Sequence, residues 1–255
     1  MSSTCRFLCV AALAAVSGCD AVRPVAVDPT IQPDARSALV RQTFVEEVVI
    51  DHVGPRDTHA GNGPHPTTES SRYSFLSGGI RWFNGATAEY RITGSEPVAG
   101  ANAAIVAGEQ VFDGLIAGRD FARNDVTTQL NPCTDQPNTI SWASIDGQGG
   151  VIGSTRPCYN VATKELVGFT IILDSDDAWG TGGAANVFDV ASVAAHEFGH
   201  AVGLGHVSAP RDGCLTMYRY VIEEEVQKAT PGLGDKLGLV VLYGNTDTSA
   251  GACGS

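Results

Sequence analysis

Apolar residues recur along this chain with two different periods. Residues 101–116 (ANAAIVAGEQVFDGLI) place Ile105, Val106, Val111, Phe112 and Leu115 at helical spacing, which predicts an amphipathic helix. Residues 187–202 predict a second helix, with Asp189 and Ser192 as candidate caps. Residues 235–243 predict a short third one, stopped by Gly244. Elsewhere the pattern alternates. Residues 86–92, 139–145 and 168–173 predict short strands. The second of these runs into an Asp146-Gly147 turn, and the third into the acidic stretch Asp174-Ser175-Asp176-Asp177. A few helices mixed with strands, without internal repeats, predict an α+β fold.

Ahead of residue 73 both periods fade. Arg6, an apolar run over residues 7–16 and the small residues Ser17 and Gly18 read as a secretory signal. That run is too short to span a bilayer comfortably. Val16-Ser17-Gly18-Cys19 resembles the lipobox of bacterial lipoproteins, which implies cleavage before Cys19 and lipid attachment to its thiol. Pro24, Pro29 and Pro33 interrupt the next stretch, and residues 39–53, richer in Val, predict a strand or short helix. A polar, Gly- and Pro-dense linker follows. His52, His59 and His65 fall in this region, and their spacing matches no metal motif. The expected organisation is a signal peptide at 1–18, a lipid-anchored tether or pro-segment at 19–72, one domain at 73–244 and a tail at 245–255. The expected location is outside the cytoplasm, membrane-anchored, facing the periplasm or the cell exterior.

Composition narrows the partners. Sixteen Lys and Arg against 28 Asp and Glu give a net charge of −12, which signal removal deepens to −13 by taking away Arg6. A nucleic-acid binder needs clustered basic side chains, so that class is excluded. Divalent cations suit the balance better. Of seven Cys, the signal would discard Cys5 and Cys9, and lipid would occupy Cys19. Cys133, Cys158, Cys214 and Cys253 remain, and an exported chain would pair them. Three pairings exist; Cys133 with Cys158 and Cys214 with Cys253 is favoured, since each closes a loop-rich stretch.

One stretch carries chemistry. His196-Glu197-Phe198-Gly199-His200-Ala201-Val202-Gly203-Leu204-Gly205-His206 fits H-E-x-x-H-x-x-G-x-x-H. At about 100° per residue, His196 and His200 stand about 40° apart on one helix face, and Glu197 about 60° from His200. Both imidazoles can reach one ion, with the carboxylate beside it. Gly203 lets the chain leave the helix, and the turn brings back His206. Three imidazoles leave a fourth zinc position open, the arrangement of a catalytic site.

The string with a later Met is the metzincin signature. Met217, eleven residues after His206, is the candidate for that superfamily's Met-turn. Residues 82–244 resemble matrixins, especially their bacterial members. Trp82 with Ala88-Glu89-Tyr90-Arg91-Ile92 resembles the family's opening strand, 174–179 its acidic loop, 188–195 the entry to its active-site helix, and Leu242-Tyr243-Gly244 the end of its last helix. The resemblance implies a twisted mixed sheet with an antiparallel edge strand, an active-site helix and a small C-terminal subdomain. It implies a zinc endopeptidase with ligands His196, His200 and His206 and Glu197 as general base, acting as a monomer on peptide or protein substrates. Substrate would lie along the edge strand, placed at 168–173.

Tyr220, two residues after Met217, stands where some metzincin branches place a zinc-side Tyr; it is a candidate oxyanion stabiliser or extra ligand. Asp174, Asp176 and Asp177 are candidate calcium ligands. Two features depart from the family. No Cys falls between Cys19 and Cys133, so latency through a Cys–zinc bond is not expected. No His falls between His65 and His196, so neither is a second, structural zinc site. The competing expectation is a zinc-binding scaffold with weak catalysis, against which the intact Glu197 weighs.

Overall fold

The alternating stretches assemble into one mixed sheet, in a computed structural model that describes residues 48–51, 69–83, 85, 87–116 and 119–251. The expected signal, Cys19, the linker histidines and Cys253 lie outside the described residues. In chain order the strands are β1 (Val48–Asp51), β2 (Ser74–Phe75), β3 (Ala88–Thr93), β4 (Phe121–Arg123), β5 (Asn138–Ala143), β6 (Val151–Tyr159), β7 (Leu166–Asp174), β8 (Trp179–Gly180), β9 (Phe188–Asp189) and β10 (Leu204–Gly205). The helices are α1 (Ala101–Gln110), α2 (Val190–Ala201) and α3 (Leu233–Tyr243). The main sheet has the order β1-β6-β7-β5-β3-β4. Strands β4, β3, β5 and β7 run parallel, while β6 is antiparallel to β7 and β1 antiparallel to β6. With α1 and α2 packed on it, the fold is α+β and metzincin-like, as expected.

One expectation is corrected. The run at 168–173 belongs to β7, which is flanked by β5 and β6 and offers no free edge. The antiparallel strand outside it is β6, which the alternation did not predict. An apolar run such as GFTIIL is what a strand buried on both sides looks like. β6 reads VIGSTRPCY; its Gly, Arg and Pro are the marks of a strand near a sheet edge.

The helices start and stop for local reasons. α1 ends at Gln110 rather than continuing to 116, and the chain then turns through Gly114 at φ 73°. Phe112 and Ile116 stay buried in those turns. Asp189 caps α2 by accepting from the Ser192 amide at 2.9 Å; Ser192 itself is buried in the first turn and is not a cap. α3 begins two residues before its predicted start, where the Asp235 carboxylate takes the Gly232 amide at 2.9 Å. Gly244, left-handed at φ 71°, ends it.

The core lies between sheet and helices. Phe198 of α2 stands 5.5, 5.7 and 5.7 Å from the rings of Tyr90, Phe121 and Phe169, all buried. Burying each such ring contributes about 1.5–3 kcal/mol. This anchors one face of α2 on the sheet and leaves the opposite face for His196 and His200. Gly203 at φ 95° reverses the chain after α2, and Trp82 and Tyr243 hydrogen-bond the Ala201 and Val202 carbonyls there, both at 2.8 Å. A small C-terminal layer follows: β10 paired with β2, a closed loop over 207–219, and α3. Residues 69–72 pack on this layer, with Ser70 donating to Asp212 at 2.6 Å and Glu69 accepting from the Leu233 amide at 2.9 Å. Cys133 and Cys158 form a disulfide, as favoured. Cys214 is also disulfide-bonded. No described helix is long and apolar enough to cross a membrane.

Candidate metal centre

His196 and His200 sit one turn apart on α2, and the reversal at Gly203 returns His206 to face them. The three Nε2 atoms lie 3.1, 3.1 and 3.0 Å from one another. A tetrahedral ion at about 2.0–2.1 Å from each nitrogen needs them about 3.3 Å apart, so the triangle is close to the right size. The opposite nitrogens of two rings are fixed. His196 Nδ1 faces the Thr216 carbonyl at 2.6 Å, and His200 Nδ1 faces the Leu204 carbonyl at 2.8 Å. A carbonyl only accepts, so each Nδ1 carries the proton and each Nε2 points a lone pair inward. Without a cation, burial pushes all three imidazoles well below their ordinary pKa, His200 to about 4. Three imidazoles converging on one point, two of them buried and His206 half-buried, fit a divalent cation. Among the described residues no other group of His, Cys, Asp and Glu brings its ligand atoms so close.

Glu197 is fully buried beside the triad. The Thr155 hydroxyl on β6 donates to its Oε2 and lies 3.1 Å from its main-chain oxygen. The other carboxylate oxygen, Oε1, has no hydrogen-bond partner. It faces Gly153, where a side chain would collide with it. Burial raises Glu197 to about 8, with the Thr155 hydrogen bond working against the shift. Glu197 thus stands beside the triad with one carboxylate oxygen held by Thr155 and the other buried without a hydrogen-bond partner.

Beneath the triad lies the Met217 turn. The Met217 sulfur packs against Gly199, which has no Cβ to keep it away. Two charged residues that sequence reasoning missed brace the turn. Asp235 accepts from the Thr216 amide at 2.8 Å, the Met217 amide at 3.2 Å and the Gly232 amide. Lys228, buried, donates to the Tyr218 carbonyl at 2.7 Å and pairs with Glu225. Thr216 is thus held at its amide by Asp235, while its carbonyl orients His196. Thr155, Asp235 and Lys228 stand 42, 39 and 32 positions from His196 or Glu197 in the chain, with no motif to mark them.

The remaining predicted residues fall elsewhere. Tyr220 packs on Tyr218 at 5.5 Å, with the Arg219 guanidinium over its ring; no bond from its hydroxyl to the triad is among the described contacts. Asp174, Asp176 and Asp177 meet the turn after β5. Asp174 accepts from the Asp146 and Asp176 amides, Asp177 from the Gly149 amide, and Asp176 from the Ser144 hydroxyl. Asp146, which the sequence marks only as the start of a turn, accepts from the Val151 amide at 2.9 Å.

Residues 134–244 match the family model described as Matrixin. That span contains β5–β10, the histidine triad, Glu197, Met217 and α3. Matrix metalloproteinase-25 of Mus musculus is 36% identical over 109 residues, which is 42% of this chain and 17% of that protein. The chain therefore matches less than a fifth of the length of this curated relative. Together the two matches support a matrixin-like metalloprotease, and the family implies zinc binding, for which the triad is present.

Proposed function

We propose that this protein is a zinc-dependent endopeptidase of the metzincin type. The observation that carries the reading is the triangle of three Nε2 atoms beside a buried Glu197 with one free carboxylate oxygen. Zinc held by His196, His200 and His206 supplies Lewis acidity and a water of lowered pKa. Glu197 takes the proton from the attacking water and delivers it to the leaving amine. Thr155 keeps the other carboxylate oxygen bonded, so the base presents one oxygen only. The Met217 turn, braced by Asp235 and Lys228, fixes His196 through the Thr216 carbonyl. An extended peptide pairs with the outer edge of β6, where Gly153 and Thr155 lie against Glu197.

The proposal includes export, an N-terminal lipid on Cys19 and a calcium ion at Asp174, Asp176 and Asp177. The lipobox-like residues support the lipid, and the resemblance to matrixins together with the acidic balance of the chain supports calcium. Loss of a palmitate-analogue label in Cys19→Ala tests the lipid.

Digestion of a peptide library by the purified, zinc-loaded full chain tests the activity. Cleavage stopped by a chelator is expected, and Glu197→Gln retains zinc while kcat falls by about 10²–10⁴-fold. A zinc-loaded chain that cleaves nothing would instead favour the scaffold reading.

A further inference from the structure

The outer edge of β6 is already occupied. β1 pairs with it antiparallel, Val48 opposite Thr155, Val49 opposite Ser154 and Ile50 opposite Gly153. Gly153 and Thr155 are also the β6 residues that adjoin Glu197. The main-chain donors and acceptors that an extended substrate would need beside the general base are therefore taken by the chain itself. The register then shifts between Ile50 and Asp51, so that Asp51 meets Val151.

We propose that residues 48–51 are an internal occupant of the substrate edge, holding the enzyme latent by strand addition. The proposal rests on the endopeptidase reading and adds its regulation. Main-chain pairing does the blocking, so no thiol on the metal is required; this fits a chain with no Cys between Cys19 and Cys133. Among the described residues four pair, and each hydrogen bond exchanged for one to substrate changes little. The block is therefore competitive and reversible: substrate sees only the fraction of molecules whose edge is open, which raises KM and leaves kcat alone.

The test uses the full, zinc-loaded chain and a fluorogenic peptide that it cleaves. In Val49→Pro/Ile50→Pro, two successive amides lose their N–H, and one of any two neighbours in a strand points at β6. KM is expected to fall by about tenfold or more with kcat unchanged. A synthetic peptide of residues 45–54, added to that variant, should restore the higher KM, and a scrambled peptide should not. A KM equal to that of the parent, or a peptide without effect, overturns latency while leaving the peptidase reading intact. If parent and variant both hold zinc and neither cleaves any peptide, both readings fall. Hydrogen exchange on the unaltered chain needs no variant to fold. Amides of residues 48–51 should lose protection when a peptide hydroxamate binds; unchanged protection overturns the proposal.

Discussion

At the histidine centre the ligand atoms face one another, whereas at the acidic corner beside β7 most carboxylate oxygens described are already bonded. Each triad Nε2 faces only the other two. At the corner, Asp146, Asp174 and Asp177 all accept main-chain amides, and Asp176 takes the Ser144 hydroxyl. Burial without a partner prepares donors for a metal, and it costs stability until the metal arrives. Bonded carboxylates give the turn its shape first, and a cation can only add to that. The same distinction separates two buried acids. Asp235 has three amides to offset its burial and rises to about 6, while Glu109, lacking such amides, rises to about 8.

The largest effect should come from the unspent donors. His200→Ala removes one corner of the triangle; zinc binding by titration and peptide cleavage should both fall to background. Retained zinc with normal turnover would mean that the three nitrogens are not the metal's ligands. Asp235→Ala strands three buried amides and should destabilise by about 3 kcal/mol or more in denaturant unfolding. A variant within about 0.5 kcal/mol of the parent would show the turn to be held by something else. Thr155→Val keeps the shape and removes the hydroxyl from Glu197. A hydrogen bond to a charged group contributes about 1.5–3 kcal/mol, so kcat should drop by about 10–100-fold with KM nearly unchanged. Thr155→Ser should restore it; equal loss in both variants would point to packing instead.

The uncompensated acid gives a smaller, pH-dependent effect. Burial, and then the neighbouring Asp113, raise Glu109 from 4.5 to about 8. The folded chain keeps a proton there that the unfolded chain releases near 4.5, so the contribution to stability is present below that pH and is lost as pH climbs toward 8. The melting midpoint should fall across this window, and Glu109→Gln should flatten the fall. An unchanged slope in the variant would assign the dependence to other groups. The smallest effect is expected at the corner. Calcium should raise the melting midpoint modestly, and Asp174→Asn should abolish the rise; no rise in the parent would leave the corner a solvated turn.

The same contrast explains what could be read from the residues alone. The triad and Glu197 lie within eleven consecutive residues, and helix geometry alone orders most of them. Asp189 as a cap and Gly244 as a stop were legible for the same local reason. β6, Thr155, Asp235 and Lys228 were not, because their roles arise from strand pairing and from contacts between distant segments. The run at 168–173 stands out in the sequence because it is almost wholly apolar, but such a run marks a strand covered on both faces, away from an edge. The strand that lies against Glu197 is the one whose Gly, Arg and Pro blur its pattern.

The Cys133–Cys158 bridge acquires a meaning from that strand. It ties the far end of β6 to the loop ahead of β5, 25 residues back. Side chains alternate along a strand, so a slip of one residue would swing Thr155 away from Glu197 and present its neighbours instead. The covalent tie works as a phase lock: it stops β6 from sliding past the helix that carries Glu197. Reduction of this one bond would then loosen the match between Thr155 and Glu197 while leaving the three histidines in place.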